Sequence, residues 1–570
     1  MKYLWKIKLV AVAVCVLVIS IAMYTADNTV MFLHKALEKG DFKKAALLNS
    51  LLAKEALLRS YRVLKAWEEL RDPQTGLVPR GKSAKEAYWN AKDTAADLFP
   101  FLLLASHYLD KNSEHLWLNT LSKEQSICGP MPCSIQFEPF KVMEEDLSDI
   151  IFGASEYSKD GLLALAERFG QGAWFERLEE IMQAIMNTAY IETKSGKISS
   201  VSTEVNGEML QVLTRLYWKT NNEAYLEMAE RIAEVYLFDL LPNNKYLVSN
   251  YWDFSKGEPE SAYFRLRDHG SEIIAGLAEL YLLEKVKGRP KAVLYREPLK
   301  KFLDHILVIG RTEEGLWHNT VDIGTEKVID HGIVDTWGYI LNAYKMFDMA
   351  EGAAVYDEEI QRTMRSVPTH PFYTWEKNSH DGYADTIESM LYLLPWFDIS
   401  ECHRWVDEEI KKMFHMQLAS GFIKNGEYLD GNFIRTAFLY AKYKSQGLTI
   451  DPWRTDVFLG AAYDKTKKEL YIYLNSDMPW RGIIQFDLPR HQTIWNLPFE
   501  YPRLNANPEW FVVNTKENYK VVDLNTGEES LHSGEALAKG LVVDINTKNS
   551  PLYLKVSKVL VESLPERQKE

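Results

Sequence analysis

Pairs of carboxylates four residues apart recur down this chain at the places where amphipathic helices should begin, and that recurrence restricts the fold more than any other feature. The pairs are Asp93/Asp97, Glu145/Asp149, Glu204/Glu208, Asp268/Glu272 and Asp381/Asp385, with a looser Asp330/Asp335. Residues four apart share a helix face, so each pair sets two like charges together, a mildly unfavourable arrangement by itself. The positive end of the helix dipole compensates acids in a first turn. A set of helix starts gathered around one cavity is the functional alternative.

The starts near Asp93, Glu145, Glu204, Asp268, Asp330, Asp381 and Asp430 follow one another at intervals of 49 to 64 residues, a repeat of supersecondary size. Local sequence repeats with them: Asp268-His269-Gly270, Asp330-His331-Gly332, His380-Asp381-Gly382 and Asp430-Gly431-Asn432 each open an apolar run. More polar segments at 222–237, 297–307, 357–365 and 401–416 lie between. Apolar helices alternating with amphipathic ones are what a ring of helical hairpins requires. Past Tyr443, short alternating segments at 469–474, 482–488, 509–513, 519–524, 540–545 and 552–556 are separated by turns such as Asn525-Thr526-Gly527. They predict an antiparallel β-sandwich. The expected organisation is mainly α: a membrane anchor over 1–27, a helical linker over 28–59, an (α/α)6-7 toroid of helical hairpins over 60–448, a C-terminal β-sandwich over 449–560 and a charged tail over 561–570.

Charge narrows the ligand. Sixty-six basic against eighty acidic residues give a net charge of -14, and no Lys/Arg run is present, which argues against nucleic acid. No Gly-rich phosphate loop occurs, so no nucleotide cofactor is expected. An acidic chain with 16 Trp and 30 Tyr suits hydroxyl-rich ligands better than phosphates. Lys2, Lys6 and Lys8 precede a charge-free apolar run over 9–23, which reads as an uncleaved anchor with the bulk outside the cytoplasm, or as a signal peptide before secretion. Cys128 and Cys133 flank Gly129-Pro130-Met131-Pro132, either as a small disulfide or as two free thiols. Neither paired CxxC motifs nor HExxH occurs, and histidines at equivalent starts in a ring lie around its rim, so no metal site is expected.

The segment Trp67-x-x-Leu70-x-Asp72-x-x-Thr75-Gly76-Leu77-Val78-Pro79 is similar to the opening hairpin loop of toroidal carbohydrate-active enzymes. With the helical repeat and the β-rich end, the chain from about 60 to 560 resembles that group. The resemblance implies an (α/α) barrel followed by a β-sandwich and a poly- or oligosaccharide substrate. Six-hairpin glycoside hydrolases, including the unsaturated glucuronyl hydrolases, carry catalytic acids at inner-helix starts. Toroid-plus-sandwich polysaccharide lyases instead use Asn, His, Tyr and Arg, a set this chain holds in Asn250, Tyr251, Tyr263, Arg267 and His269.

Glycoside cleavage needs one carboxylic acid to protonate the leaving oxygen and one carboxylate to activate water or attack the anomeric carbon. Crowded acids suit that chemistry, because they cannot all ionise. Asp268, Glu272, Asp381 and Asp385 are the catalytic candidates, each pair having a histidine beside it, with Glu388 one turn further along the same face as a core-edge partner. Sugars need flat aromatics beside polar groups, so the loops before the helices supply Tyr88, Trp89, Tyr251, Trp252, Tyr263, Trp317 and Trp375 as binding candidates. Asp93, Asp335, His269, His331 and His380 join them from the helix starts, with Arg267 and Arg435 as partners for an acidic sugar or for the chain's own acids. Hydrolase is the leading expectation, lyase acting on a uronic-acid polymer the alternative, and a non-catalytic glycan-binding envelope protein the third.

Overall fold

The computed structural model describes residues 28–370, 373–546 and 549–559. The expected anchor over 1–27 and the tail over 561–570 lie outside the described residues, and among those described no helix is long and apolar enough to cross a membrane. The chain is mainly helical with several β-sheets, and it separates into two units. One runs from Ala56 to Tyr440 and adds Leu488–Trp510; the other holds the described residues up to Glu55, Ala441–Asp487 and those from Phe511 onward.

In the helical unit, seven segments alternate with more polar ones. They are α1 (Phe99–Leu109, preceded by the π-helical Ala91–Leu98), α2 (Leu147–Glu156, then the π-helical Tyr157–Leu162 and Leu163–Phe169), α3 (Thr203–Thr220), α4 (Glu272–Val286), α5 (Trp337–Glu351), α6 (His380–Leu393) and α7 (Asp430–Lys444). Helices α3 and α4 are buried on nearly every side, α4 because it is apolar nearly all round and α3 with Glu204, Glu208, Gln211 and Arg215 buried among its apolar residues, and the outer Asp357–Ser366 buries only Ile360, Thr363 and Met364. Each of the seven packs on the next, α1 on α2 through to α5 on α6. Asn432 and Arg435 of α7 then bond to α6, and Gly431 of α7 abuts the backbone of Asp97, so the seven close on themselves. Close approach explains the glycines at these crossings: a Cβ at Gly207 of α3 would lie 2.4 Å from the Glu272 backbone of α4.

Two expected helix starts move. The 330–333 stretch is strand, not helix: Val328–Ile333 pairs with His318–Asp322, which pairs with Tyr263–Arg265, and α5 begins only at Trp337. His331 therefore sits exposed on a hairpin and is corrected from a helix-start residue to a strand residue. Asp268 and His269 precede α4 in a turn, with His269 at φ 71.

The segment Leu488–Trp510, expected to be sandwich, belongs with the helices. Its Arg503 pairs with Glu167 at 2.8 Å, its Tyr501 hydroxyl donates to Glu279 at 2.8 Å, and Arg215 joins Glu279 at 2.9 Å and the Leu504 carbonyl at 2.7 Å, all buried. Arg215 and Glu279 stand about 10–18 Å along their helices from the first turns, so the segment lies toward the other end of the ring.

The second unit holds two antiparallel sheets. Val457–Asp464, Glu469–Ser476, Leu552–Lys558, Asn518–Asp523 and Glu529–Ser533 are adjacent in that order, with Val457 opposite Ser476. Leu541–Ile545, Trp480–Gln485 and Thr449–Asp451 form the other. The expected strand at 509–513 is absent beyond a single bridge at Val512. The N-terminal stretch is not a free linker: Phe42 stacks on Tyr471, Lys54 lies over Phe458, and Gly460 meets the backbone of Ser50.

Candidate functional site

The first turns of α3 to α7, the C-terminal end of α2 with the π-helical turn after it, and the π-helical stretch before α1 line a cavity of about 240 Å³. Eleven carboxyl groups line it, from Asp93 and Asp97 on the first segment to Asp381 and Asp385 on α6, against Lys92, Lys159, Arg265, Arg435 and His269. Two of the wall segments are π-helical, one carrying Asp93 and Asp97, the other Lys159 and Asp160. An inserted residue of this kind re-aims side chains and is common at functional sites.

The acids are held in different ways. Glu272 is buried at the start of α4, bonded by Lys159 at 2.8 Å and Gln211 at 2.7 Å, and Lys159 also pairs with Asp160 at 2.8 Å. Burial pushes Glu272 up despite Lys159. Asp385 is likewise buried, touching Tyr339 at 3.2 Å and Arg435 at 3.3 Å, and burial with Asp381 and Asp335 pushes it well above the usual carboxylate range. Arg435 spends its Nε on Glu388, fully buried, at 2.7 Å. These groups form the floor.

Asp97, Asp268 and Asp381 are half-buried on the cavity wall. Asn432 Nδ2 donates to Asp381 at 3.0 Å and to Asp97 at 3.3 Å, tying α1, α6 and α7 together. Burial, then Asp160 and Asp381, pushes Asp97 well above the usual range; burial and Glu376 raise Asp381. Asp268 goes the other way. Burial alone would raise it, but His269, Arg267 and Arg265 outweigh burial and hold its carboxyl below the usual range. Arg267 Nε lies 2.7 Å from Asp268 and His269 Nε2 3.3 Å. His269 Nδ1 bonds Glu204, and although burial opposes the charged ring, Asp268 and Glu204 hold it at about 9. A non-glycine residue at φ 71 facing a polar cavity is stored strain of the sort functional sites carry. Glu376, at φ 43, also lines the cavity and pairs with Arg267 at 2.9 Å.

The remaining expected site residues scatter. Asp93 lines the wall, paired with Arg80 at 2.6 Å. Asp335 is buried 3.4 Å from Arg267, and burial pushes it to about 7. Tyr251 and Tyr263 are exposed, 42% and 39%, and Tyr251 feels the charge of Glu204. Tyr88 is half-buried beside Arg80. Trp89, Trp252, Trp317 and Trp375 are corrected from open platforms to core: all are buried, Trp317 donating to the Ile306 carbonyl at 2.8 Å and Trp375 to Glu409 at 2.9 Å. His380 is also core, bonded to the Leu429 carbonyl at 3.0 Å. Large rings are the usual filling of so wide a ring, and the loop positions that suggested a ligand face point inward. Sequence reasoning did not single out Glu156, Lys159, Asp160 or Asn432, and took Asp97 only as the second member of a helix-start pair. A Lys-Asp step between two apolar stretches, at 159–160, was the available signal.

No protein-family model matches the chain, and no curated protein does. Among solved structures it is similar to an inactive variant of an α-1,6-mannanase of Salegentibacter sp. in complex with α-1,6-mannotetrose, at 11% identity and TM-score 0.40, covering 68% of this chain and 98% of that one. An unsaturated glucuronyl hydrolase specific for heparin aligns at 13% identity and TM-score 0.38, covering 69% and 97%. A cellobiose 2-epimerase of Bacillus thermoamylovorans aligns at 10% and 0.38, covering 55% and 87%. These are toroid enzymes of the six-hairpin glycosidase-like kind, and no single family is assigned.

Proposed function

We propose that the protein is a carbohydrate-active enzyme that hydrolyses glycosidic bonds, with Asp268 as the carboxylate and the Asp97–Asp381 pair, bridged by Asn432, as the proton donor. The observation that carries this reading is the divergence within one cavity: His269, Arg267 and Arg265 hold Asp268 below the usual carboxylate range, and burial with like charge pushes Asp97 and Asp381 above it. Carboxyls pushed apart in this way divide into acid and base. The protonated member gives its proton to the glycosidic oxygen as the bond breaks, and Asp268 activates water or attacks the anomeric carbon. Exposed Tyr251 and Tyr263, outside the cavity lining, offer ring faces for a sugar. Elimination from a uronate is the weaker reading, because Arg267 and Arg435, the natural partners of a uronate carboxyl, are engaged by the chain's own acids.

The charge-free run over 9–23 behind Lys2, Lys6 and Lys8 supports a tether to the membrane with the enzyme outside the cytoplasm. The Cys128–Cys133 disulfide agrees with an oxidising compartment.

Asp268→Asn, Asp97→Asn and Asp381→Asn should each retain the wild-type melting profile and lose about 10²–10⁴-fold in kcat, measured as new reducing ends from a glycan panel. Wild-type turnover in the Asp268 variant, or unsaturated products absorbing in the ultraviolet, overturns the proposal.

A further inference from the structure

The segment Leu488–Trp510 reaches from the far end of the ring to the cavity wall. Arg503 on Glu167, Tyr501 on Glu279 and Arg215 on the Leu504 carbonyl fix its backbone among Leu163–Phe169, α3 and α4. The next residue, Asn505, is 6% exposed and stands at φ 60, a left-handed conformation that asparagine adopts more readily than most side chains. Its Nδ2 donates to the Lys159 carbonyl at 2.8 Å and to Asp160 Oδ1 at 3.1 Å, which uses both hydrogens of the amide. Asp160 lines the cavity and Asn505 does not, so the amide acts from behind the wall.

The residue it holds sits on an irregular turn. Tyr157–Leu162 is π-helical, and the Leu163 N–H reaches back five residues to the Ser158 carbonyl. Such turns are rare, short and frequent at functional sites. Asn505 clamps this one at two points, the main chain of Lys159 and the side chain of Asp160. The same Asp160 oxygen accepts from Lys159 Nζ at 2.8 Å, so a cation and an amide together fix the direction of the carboxylate.

We propose that Asn505 is a positioning residue: it holds the Asp160 carboxylate in the wall where Asp97 feels its charge, and so tunes the proton donor of the cavity. This rests on Asp97 and Asp381 being that donor. The charged and titratable groups that face Asp160 are Lys159 and Glu156 of its own segment, Asp97, Glu208 of α3, Glu272 of α4 and Arg435 of α7. Burial alone would raise Asp160, but Lys159, Glu156 and Arg435 outweigh it and hold the carboxyl below the usual range, the sense in which a donated N–H also acts. Asp97 faces Asp160, Asp381, Asp93 and Arg435; burial raises it most and the charge of Asp160 next. Without the amide, Asp160 is freer to turn away or to take a proton. Either change weakens the charge felt by Asp97, which then releases its proton at lower pH.

The test is the pH dependence of kcat for the full-length protein on the glycan it cleaves best. Asn505→Gly removes the amide and keeps the left-handed backbone, and Asn505→Ala takes its place if the glycine variant does not fold. The basic limb should move down by about 0.5 pH unit or more, with KM changed by less than about twofold. Asp160→Asn should move it the same way, and the double variant no further than Asp160→Asn alone. An unmoved limb, a rise in KM as the main effect, or shifts that add in the double variant overturns the inference. Melting temperatures of the two single variants and the double close the same cycle without activity, and losses that simply add also overturn it. Full turnover in Asp97→Asn removes the donor assignment instead; coupled melting losses then keep Asn505 as the residue that holds Asp160, and additive losses remove it.

Discussion

A single buried lysine decides how the π-helical turn after α2 and the first turn of α4 share their charge. Lys159 stands 2.8 Å from both Asp160 and Glu272, with Gln211 completing the shell of Glu272. Two carboxyls cannot stay in that space unneutralised, because desolvation penalises each and they repel one another. Lys159→Met should therefore lower stability by about 3–5 kcal/mol in denaturant unfolding, and Lys159→Met with Glu272→Gln should recover part of it. A loss under about 1 kcal/mol would mean that the pair is wet and its neutralising role misjudged. The acids themselves were legible as residues, since a carboxylate pair at a helix start is visible in any sequence. Their division of labour was not. Asp268 and Glu272 read alike by spacing, but one faces the opening and is pulled down by three cations, and the other is packed under Lys159.

At the scale of elements, the helix starts other than those expected at 268 and 330 were readable because apolar periodicity and first-turn acids coincide, and the outer segments followed from the polar stretches between them. What spacing cannot register is a one-residue insertion. The π-helical turns over Ala91–Leu98 and Tyr157–Leu162 have ordinary composition, and they aim Asp97 and Asp160 at the cavity. The strand at Val328–Ile333 was read as a helix start because Asp-His-Gly suits a turn of either kind. Contact between neighbouring helices makes a sharper prediction. Gly207 of α3 faces the Glu272 backbone of α4, and Gly276 of α4 faces the Gly207 carbonyl, so the two backbones touch where α4 begins. Gly207→Ala should cost about 1–3 kcal/mol through overpacking in spite of its gain in helix propensity. It should also reduce turnover by shifting Glu272 and the turn that holds Asp268. An alanine variant that is as stable as wild type would show that the helices have room to part.

Acidic groups are buried throughout the helical unit, and this sets the direction of its pH response. Burial pushes Glu124, Asp335, Asp430 and Glu500 to about 7 and Glu284 to about 8. Asp430 shows the physical form of it: Oδ2 accepts from the Trp67 indole at 3.0 Å, but the buried Oδ1 has no partner to stabilise a charge. Carboxyls raised on folding bind protons more tightly in the folded chain, so their contribution is fully present below the ordinary carboxylate range and is lost as pH rises through about 7 to 8. His269, held at about 9, acts in the same sense at higher pH. Glu351, lowered to about 2 because its bonds to Tyr281, Arg296 and Lys285 outweigh burial, acts in the opposite sense but only below about pH 4.5, outside this range. The melting temperature should therefore fall by about 5 °C or more between pH 5 and pH 8, against the common preference of globular proteins for neutrality. Scanning calorimetry across that range checks it. A flat or rising profile would mean that these carboxyls ionise freely in the folded chain, and the crowding that raises Asp97 and Asp381 would lose its support along with them.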